Sequence, residues 1–239
     1  MENALKSSQP SPRLSITEIR NEVLSYFNIE KGLLFTIIFM LKRPERLIAL
    51  YLNENRRMVF NPLRYLLFAV AISTIVTINN PGFISMIEGL QQEQYSTINS
   101  VDTKLGINIW ETMIRMQEIF LSYQNVVILF SIPLISWLTW KFLNKKGFNF
   151  AENLAINCFV YGTNYWVSVI LGLFHYLFDY KIFMYFLTFF SFALVSYLYM
   201  RIFKSHIGRS FLGALVNYIP SFLVGVVFQF FIFIVLILT

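Results

Sequence analysis

The sequence has few charged residues and almost no cysteine. Only 13% of its 239 residues are charged, whereas soluble domains average about a quarter. Because so few charges cannot solvate the surface of a globule of this size, we expect lipid to cover part of it. The single cysteine, Cys158, excludes an internal disulfide and any metal site with several cysteine ligands.

Catalytic motifs are absent as well. The sequence contains no glycine-rich phosphate loop, no HExxH and no GxSxG pattern, so common signatures of phosphoryl transfer, zinc proteolysis and serine hydrolysis are missing. The long apolar stretches also hold almost no Asp or Glu that could form an acid–base pair. We therefore predict a protein that is not an enzyme and has no catalytic residues, no cofactor and no metal site.

What is present is a series of long hydrophobic blocks, in a chain that is 56% hydrophobic and has a mean hydropathy of +0.59. About 20 apolar residues in a helix cross the hydrocarbon core of a bilayer. The blocks predict an all-α fold, a polytopic membrane helix bundle with about five transmembrane helices: residues 62–78, 125–143, 153–178, 181–203 and 212–238. Residues 79–124 are predicted to be an extracytoplasmic loop, in which 105–121 has amphipathic spacing.

The region before the first span is predicted to stay outside the hydrocarbon. The sequence predicts three regions: a flexible tail at 1–13, cytoplasmic interfacial amphipathic helices at 14–60, and a membrane domain at 61–239. The apolar run 33–41 covers roughly 14 Å of a hydrocarbon core of about 30 Å. Since extending it would bury four charges at a cost on the order of 10 kcal/mol, we predict that it lies at the membrane interface.

Basic residues indicate the orientation. Sixteen of the 19 Lys and Arg residues flank the predicted spans on the side of the N-terminus. The positive-inside rule then predicts a cytoplasmic N-terminus, and an odd number of spans predicts a C-terminus outside. The cluster from Lys42 to Arg57 predicts anionic lipids as partners at the cytoplasmic face. Because the positive-inside rule already explains the basic sequence pI, near 9.4, we do not expect nucleic acid as a partner.

Polar residues form two stripes inside the predicted spans. Steps of three and four keep residues on one face of a helix, and in lipid such a face turns toward the protein. One interpretation is helix packing through interhelical hydrogen bonds, and the other is a polar seam lining a path for a solute or a lipid. The third span carries Asn153, Asn157, Tyr161, Asn164, Ser168, Gly172 and His175, and the last carries Gly213, Asn217, Ser221, Gly225 and Gln229.

Two titratable residues near these stripes have alternative interpretations. His175 is either a proton-linked partner of Asp179 or an interfacial histidine that faces water. Glu152 suits the N-terminal end of the third span, where we expect it to pair with Lys145 or Lys146.

A set of short motifs around the first span resembles a known family. A threonine, an Arg–Pro step, a Tyr–Leu step, an Arg pair and an Asn-Pro-x-x-Tyr sequence follow one another, and shorter blocks begin at Phe150 and Ser196. The pattern resembles that of a bacterial membrane family known as domain of unknown function 3667. The matching positions are Thr36, Arg43, Pro44, Tyr51, Leu52, Arg56, Arg57, Asn61, Pro62 and Tyr65.

This resemblance implies a topology and a bacterial cytoplasmic (inner) membrane, but no activity, because the family has none assigned. Many relatives begin with a cysteine-rich zinc ribbon, which this chain lacks. Asn153 stands where relatives often have histidine, so the resemblance does not imply a histidine ligand there. The five-span layout also resembles, more loosely, that of Yip-type membrane proteins.

Two hypotheses for the function follow. The first is a scaffold or envelope-assembly component, with candidate interface or lipid-binding residues Arg43, Pro44, Arg56, Arg57, Asn61, Pro62 and Tyr65. The alternative is a small transporter or channel that, because five helices enclose little room, acts as a homo-oligomer or with a membrane-protein partner. The polar seam of this alternative comprises Asn157, Asn164, Ser168, Asn217, Ser221 and Gln229.

Overall fold

The computed structural model describes residues 32–54, 56–82, 84–85, 89, 109–144, 147–172 and 180–238. These residues are almost all helical and include no strand, which confirms the predicted all-α bundle. The principal helices are α1 (Leu34–Lys42), α2 (Pro44–Ala49), α3 (Pro62–Ile78), α4 (Ile109–Phe142), α5 (Phe150–Gly172), α6 (Tyr180–Phe203), α7 (Ile207–Val216) and α8 (Tyr218–Leu238). A π-helical turn, Leu50–Glu54, and a 3₁₀ turn, Arg56–Met58, lie between α2 and α3.

Several stretches of the described residues have the length and hydropathy of membrane spans. Four meet both requirements: Arg56–Ile78, Phe150–Gly172, Ile182–Phe203 and Ile207–Leu236. A further apolar stretch, Val126–Phe142, is shorter, but it forms the last part of the 34-residue helix α4. The chain is therefore a multi-pass membrane protein.

One end of the bundle collects basic residues. The end of α4 meets the start of α7 there, because Arg209 Nε donates to the Phe142 carbonyl at 2.8 Å. The loop before α5 meets the end of α6, where the Phe148 and Phe203 ring centroids are 6.0 Å apart. We call this end the basic end, because ten of the described Lys and Arg residues lie there: Lys42, Arg43, Arg46, Arg56, Arg57, Arg64, Lys141, Arg201, Lys204 and Arg209.

Residues 32–60, which we call the N-terminal segment, pack into the basic end of the bundle. Met40 and Leu47 are completely buried, and they belong to the same hydrophobic cluster as Phe159 of α5 and Leu198 of α6. The predicted interfacial position of residues 14–60 stays a prediction, and the structure adds that the N-terminal segment shares the bundle core. Burial of these apolar side chains against α5 and α6 removes them from water and from lipid headgroups alike.

Helix α1 has one buried and one exposed face. On the buried face, the Thr36 hydroxyl donates to the Gly32 carbonyl at 2.6 Å and accepts from the Phe60 amide at 3.1 Å. This contact ties the beginning of the N-terminal segment to its end. The opposite face leaves three large apolar side chains exposed: Leu34, Ile38 and Leu41.

Helix α3 begins at the Asn-Pro step, as the sequence predicts. The Asn61 side chain accepts hydrogen bonds from two amides of the first turn, at 3.1 and 3.2 Å, and Pro62 occupies a position that needs no amide donor. On the face toward α5, Tyr65 is completely buried. Its ring lies so close to Gly162 that a Cβ added to this glycine would be 2.5 Å from Tyr65 Cδ1.

Helix α4 is longer than predicted. The sequence predicts a loop through residue 124 with an amphipathic helix at 105–121, whereas one continuous helix runs from Ile109 to Phe142. From residue 109 to residue 132 the chain contains no glycine or proline that would end a helix. Pro133 lies inside α4, where a membrane helix tolerates it.

The predicted last span consists of two helices. Helix α7 ends at Val216 and α8 begins at Tyr218, with Asn217 between them. Pro220 has no N–H to donate to the Val216 carbonyl, so the helical hydrogen-bond pattern is interrupted here. Because α7 packs mainly against α6 and α8 mainly against α4, the break lets the chain pass from one neighbour to the other.

Some predicted features lie outside the described residues. They are the tail 1–13, residues 14–31, the His175–Asp179 pair, and the lysines Lys145 and Lys146. The predicted third span, 153–178, is described as far as Gly172.

Candidate functional site

A groove of about 450 Å³ opens at the basic end, between α2 and the turn that follows α6. Arg43, Arg46 and Lys204 line it together with Glu45 and Ala49. Lys204 has a φ of 49°, a left-handed conformation that turns the chain from α6 toward α7. The groove, which we call the basic groove, thus combines cations from the N-terminal segment with one from the α6–α7 turn.

An ion pair holds the two walls of the basic groove together. Arg201 Nη2 of α6 lies 2.6 Å from Glu45 Oε1 of α2. Both side chains are partly exposed, so the pair stabilises the fold by about 1 kcal/mol or less. Arg46 forms a second, more exposed pair with Glu54 at 2.9 Å. Among the described residues, the side chains of Arg43 and Lys204 form no ion pair, and the groove therefore keeps a positive charge.

The seven predicted interface residues separate into a buried and an exposed group. Pro44, Pro62 and Tyr65 are buried and support packing within the chain. The remaining four are exposed: Arg43, Arg56, Arg57 and Asn61. The structure brings Arg43 into the basic groove, whereas Arg56, Arg57 and Asn61 do not line it.

Arg56 is held beside α5 through Tyr51. Its Nε donates to the Tyr51 carbonyl at 3.2 Å, and its guanidinium carbon lies 5.7 Å from the centroid of the Tyr51 ring. That ring packs edge-to-face on Phe159, with centroids 5.3 Å apart.

The sequence did not identify Arg46 and Lys204 as members of one site, because no local pattern links residues so distant along the chain.

A chain of buried hydrogen bonds links α4, α5, α6 and the α7–α8 junction. Asn157 Nδ2 donates to Thr139 Oγ1 at 2.8 Å, and Tyr199 Oη donates to Asn157 Oδ1 at 2.6 Å. Asn217 Nδ2 then donates to Tyr199 Oη at 2.7 Å. All four side chains are buried. For Asn157 and Asn217, the structure therefore favours the interpretation of the polar stripes as helix packing.

Two adjoining cavities lie beside this chain of hydrogen bonds, farther from the basic end. The first, of about 340 Å³, lies among α4, α5, α6 and the α7–α8 junction. The second, of about 360 Å³, lies among α3, α5 and α6. Both are lined by Asn164, Tyr165, Ser191 and Tyr218. We call the pair the membrane cavity.

The predicted polar seam lies only partly on the membrane cavity. Asn164, Ser168, Asn217 and Ser221 line it, whereas Asn157 and Gln229 do not. The sequence missed the hydroxyl residues that α3 and α6 contribute. These residues are Ser73, Thr77, Thr188 and Ser191. Their spacing, four residues in α3 and three in α6, puts each pair on one helix face and could have identified them.

Asn164 is the most unusual polar residue of the membrane cavity. Its Oδ1 atom is buried and has no hydrogen-bond partner among the described residues. A buried acceptor without a partner costs free energy, and most such atoms in proteins are satisfied by protein, water or ligand. The amide is thus available to a donor group inside the cavity.

Glu152 has a structural role at the start of α5. Its Oε2 accepts from the Asn149 amide at 2.8 Å, while Asn149 Oδ1 accepts from the Glu152 amide at 2.9 Å. This reciprocal arrangement satisfies two amides at the helix N-terminus.

Within the part of the chain that the structure describes, no group of three or more His, Cys, Asp or Glu residues is placed to hold a metal ion.

A protein-family model matches part of the chain. The family model described as "Protein of unknown function (DUF3667)" matches residues 30–74, which comprise the N-terminal segment and most of α3. No curated protein and no solved structure matches the chain. The match covers the first of the three sequence blocks that carry the resemblance, and the blocks at Phe150 and Ser196 lie outside it. Over residues 30–74 the chain is therefore similar to a family of unknown function.

Proposed function

We propose that this protein is a non-enzymatic membrane scaffold or envelope-assembly component whose basic end binds anionic lipid headgroups at the cytoplasmic face. The observation that carries the proposal is the basic groove, in which Arg43, Arg46 and Lys204 face one space. Cations near a membrane surface attract anionic lipids by about 1 kcal/mol each. The scaffold role is supported by the N-terminal segment, which is folded onto the bundle as a fixed surface rather than held by a linker.

The surroundings of the basic groove favour a lipid over a soluble anion. On α1, Leu34, Ile38 and Leu41 follow one another at helical spacing and are 65%, 51% and 36% exposed. On α7, Ile207 and Leu212 are also exposed. Apolar side chains beside cations are typical of a protein surface at the level where headgroups meet acyl chains. A headgroup phosphate in the groove would leave its acyl chains beside these residues.

The proposed topology has five spans, with the N-terminus in the cytoplasm and the C-terminus outside. Helix α4 supplies the fifth span, because its 34 residues exceed the roughly 20 that cross a bilayer. The basic end is then the cytoplasmic end, in agreement with the positive-inside rule. The bacterial cytoplasmic membrane is the location that the family resemblance favours.

The alternative of a transporter or channel has one supporting observation, the membrane cavity. A path across the bilayer would have to continue from this cavity to the basic end. Asn157, Tyr199 and Asn217 stand there, and they bond to each other in a buried chain. A conducting state would require those hydrogen bonds to break, and so the scaffold proposal receives more support.

The test compares lipid selectivity in the purified full-length protein. The variant combines Arg43→Gln with Lys204→Gln, two cations of the basic groove. Protein in detergent is given equal amounts of phosphatidylglycerol and phosphatidylcholine, and native mass spectrometry measures the ratio of bound lipids. Because two cations at about 1 kcal/mol each are lost, we expect the preference for phosphatidylglycerol to fall roughly 30-fold.

The matched control removes two cations away from the basic end, by Arg115→Gln with Lys181→Gln. It should retain the phosphatidylglycerol preference of the natural sequence. A double groove variant that keeps the full preference, or a control that loses as much, would contradict lipid binding in the basic groove.

A further inference from the structure

The membrane cavity is a second site that lipid binding at the basic end does not use. We propose that it binds an uncharged, hydroxyl-bearing lipid of the diacylglycerol class, with the headgroup hydroxyl donating to Asn164 Oδ1. The volumes of its two parts, about 340 and 360 Å³, fall within the roughly 300–1,000 Å³ of small-molecule sites.

The lining of the cavity determines which headgroup fits. Among the described residues that line its two parts, none carries a charge. A phosphate or an ammonium group would be buried there without a partner of opposite sign, at a large cost in free energy. Hydroxyls and amides can both donate and accept, and the unpartnered Oδ1 atom of Asn164 requires a donor. A neutral headgroup with a hydroxyl meets both conditions.

The rest of the wall suits hydrocarbon. Near the shared residues, Val76, Val169 and Leu187 form an apolar surface in the second part of the cavity, and Val127 and Ile128 do so in the first. Acyl chains lose no hydrogen bonds against such a surface and gain dispersion contacts. The cavity therefore combines a polar spot with an apolar wall, as an amphiphile requires.

Access to the cavity is from the side of the bundle. Thr188 lies near the middle of α6 and Tyr218 at the start of α8, and both line the cavity while exposed at the protein surface. A span's midpoint is surrounded by acyl chains rather than by water. A lipid can therefore enter from the bilayer beside Thr188 and Tyr218, and the second part of the cavity also reaches the ends of α3 and α5, where Asn80 and Gly172 line it.

The cavity ends at the buried hydrogen-bond chain. Asn217 lines the first part of the cavity and also donates to Tyr199, whose hydroxyl in turn donates to Asn157. These buried residues separate the cavity from the basic end. The arrangement is that of a pocket that holds a molecule, and it does not require transport across the membrane.

The experiment uses a photoreactive diacylglycerol, with a diazirine near the glycerol and an alkyne at the chain end, in phosphatidylcholine vesicles that contain the full-length protein. We expect labelling of peptides that include Tyr165 or Tyr218, and competition by excess unlabelled dioleoylglycerol. Asn164→Leu should reduce this labelling about fivefold to tenfold, as loss of one buried hydrogen bond implies. Gln229→Leu, which removes an amide outside the cavity, should leave it unchanged.

Two further measurements cover the case in which Asn164→Leu does not fold. Ser191→Leu places a larger side chain in the wall that both parts of the cavity share. It leaves less space for the ligand and should therefore reduce labelling as well. Dioleoylglycerol should also raise the thermal unfolding midpoint of the natural protein in detergent, whereas phosphatidylcholine with the same chains, which has no hydroxyl and no net charge, should not. The proposal is overturned if a photoreactive phosphatidic acid labels the same peptides equally, if both cavity variants fold and retain full labelling, or if dioleoylglycerol leaves the midpoint unchanged.

Discussion

At the scale of single residues, asparagines of this protein act as a helix cap, at Asn61, and as a buried hydrogen-bonding group, at Asn157. The Asn61–Pro62 step predicts a helix start, because an Asn side chain can cap the first turn and Pro needs no donor there, and α3 starts there. The sequence also put Asn153, Asn157 and Asn164 on one helix face. It could not tell that Asn157 is satisfied by Thr139 and Tyr199 while one Asn164 oxygen stays unpartnered, since those partners lie on other helices.

The contact between Tyr65 and Gly162 gives the first prediction of stability. In Gly162→Ala, the new methyl group would lie 2.5 and 2.7 Å from Tyr65 ring carbons. This ring is completely buried, and its hydroxyl is held 3.0 Å from the Thr163 hydroxyl. Overpacking of this kind costs about 1–3 kcal/mol. For a chain of this size, each kcal/mol lowers the thermal unfolding midpoint by about 2–4 °C, which fluorescence-detected melting in detergent would measure.

Gly208→Ala is the matched control, because nothing lies within 4 Å of the Cβ it would add. In helix α7 this change should raise the midpoint or leave it unaltered, since Ala favours helix over Gly. Equal midpoints for Gly162→Ala and Gly208→Ala would show that the space between Gly162 and the Tyr65 ring is large enough for a methyl group.

At the scale of helices, the N-terminal segment marks the limit of what the sequence can predict. Its apolar run is too short to span a bilayer, and in the structure it forms the short helix α1, whose Met40 lies in the bundle core. What the sequence could not indicate is the surface on which it packs, since Phe159 and Leu198 follow more than a hundred residues later. The length of α4 was underestimated for a different reason: its acidic, less apolar beginning resembles a loop by composition, although nothing there breaks a helix.

The second stability prediction concerns the closure of the N-terminal segment. Thr36→Val keeps the shape of the side chain but removes the acceptor of the buried Phe60 amide, which costs about 1–3 kcal/mol. Helices α1 and α2 should therefore separate from the bundle more easily. Hydrogen–deuterium exchange should show faster exchange in residues 34–60.

Thr74→Val is the comparison for this change, because the Thr74 hydroxyl donates only to the carbonyl of Val70 in its own helix. We expect its exchange pattern to match that of the natural protein. If Thr36→Val also exchanges at the natural rate, the hydroxyl–amide contact does not hold the segment in place.

At the scale of the whole molecule, the bundle class followed directly from composition, because a chain with long apolar blocks and little charge has few alternatives. The basic groove and the membrane cavity did not, because both are assembled from residues that are far apart in the chain. The groove joins Arg43 and Lys204, and the cavity joins Asn164 with Ser191 and Tyr218.

The proposed orientation can be tested with single cysteines. Asn79→Cys, at the end of α3, and His206→Cys, before α7, are both exposed positions. In spheroplasts of a bacterial host, a membrane-impermeant maleimide should label Asn79→Cys directly and His206→Cys only after permeabilisation. Cys158 is 4% exposed, so the natural sequence should remain unlabelled under both conditions. The opposite pattern would mean that the basic end faces outward.

The docking of the N-terminal segment on α6 has a consequence for biogenesis. The segment leaves the ribosome first, yet the helix that completes its packing surface, which contains Leu198, is synthesised about 150 residues later. At translation rates of about 5–20 residues per second, the segment waits on the order of 10–30 s for that surface. During this delay its apolar side chains have no protein neighbour, and the headgroup region of the membrane is the place where a basic, amphipathic helix can wait without aggregating. We therefore expect the segment to lie at the membrane interface during insertion and to dock on the bundle once α6 is in place.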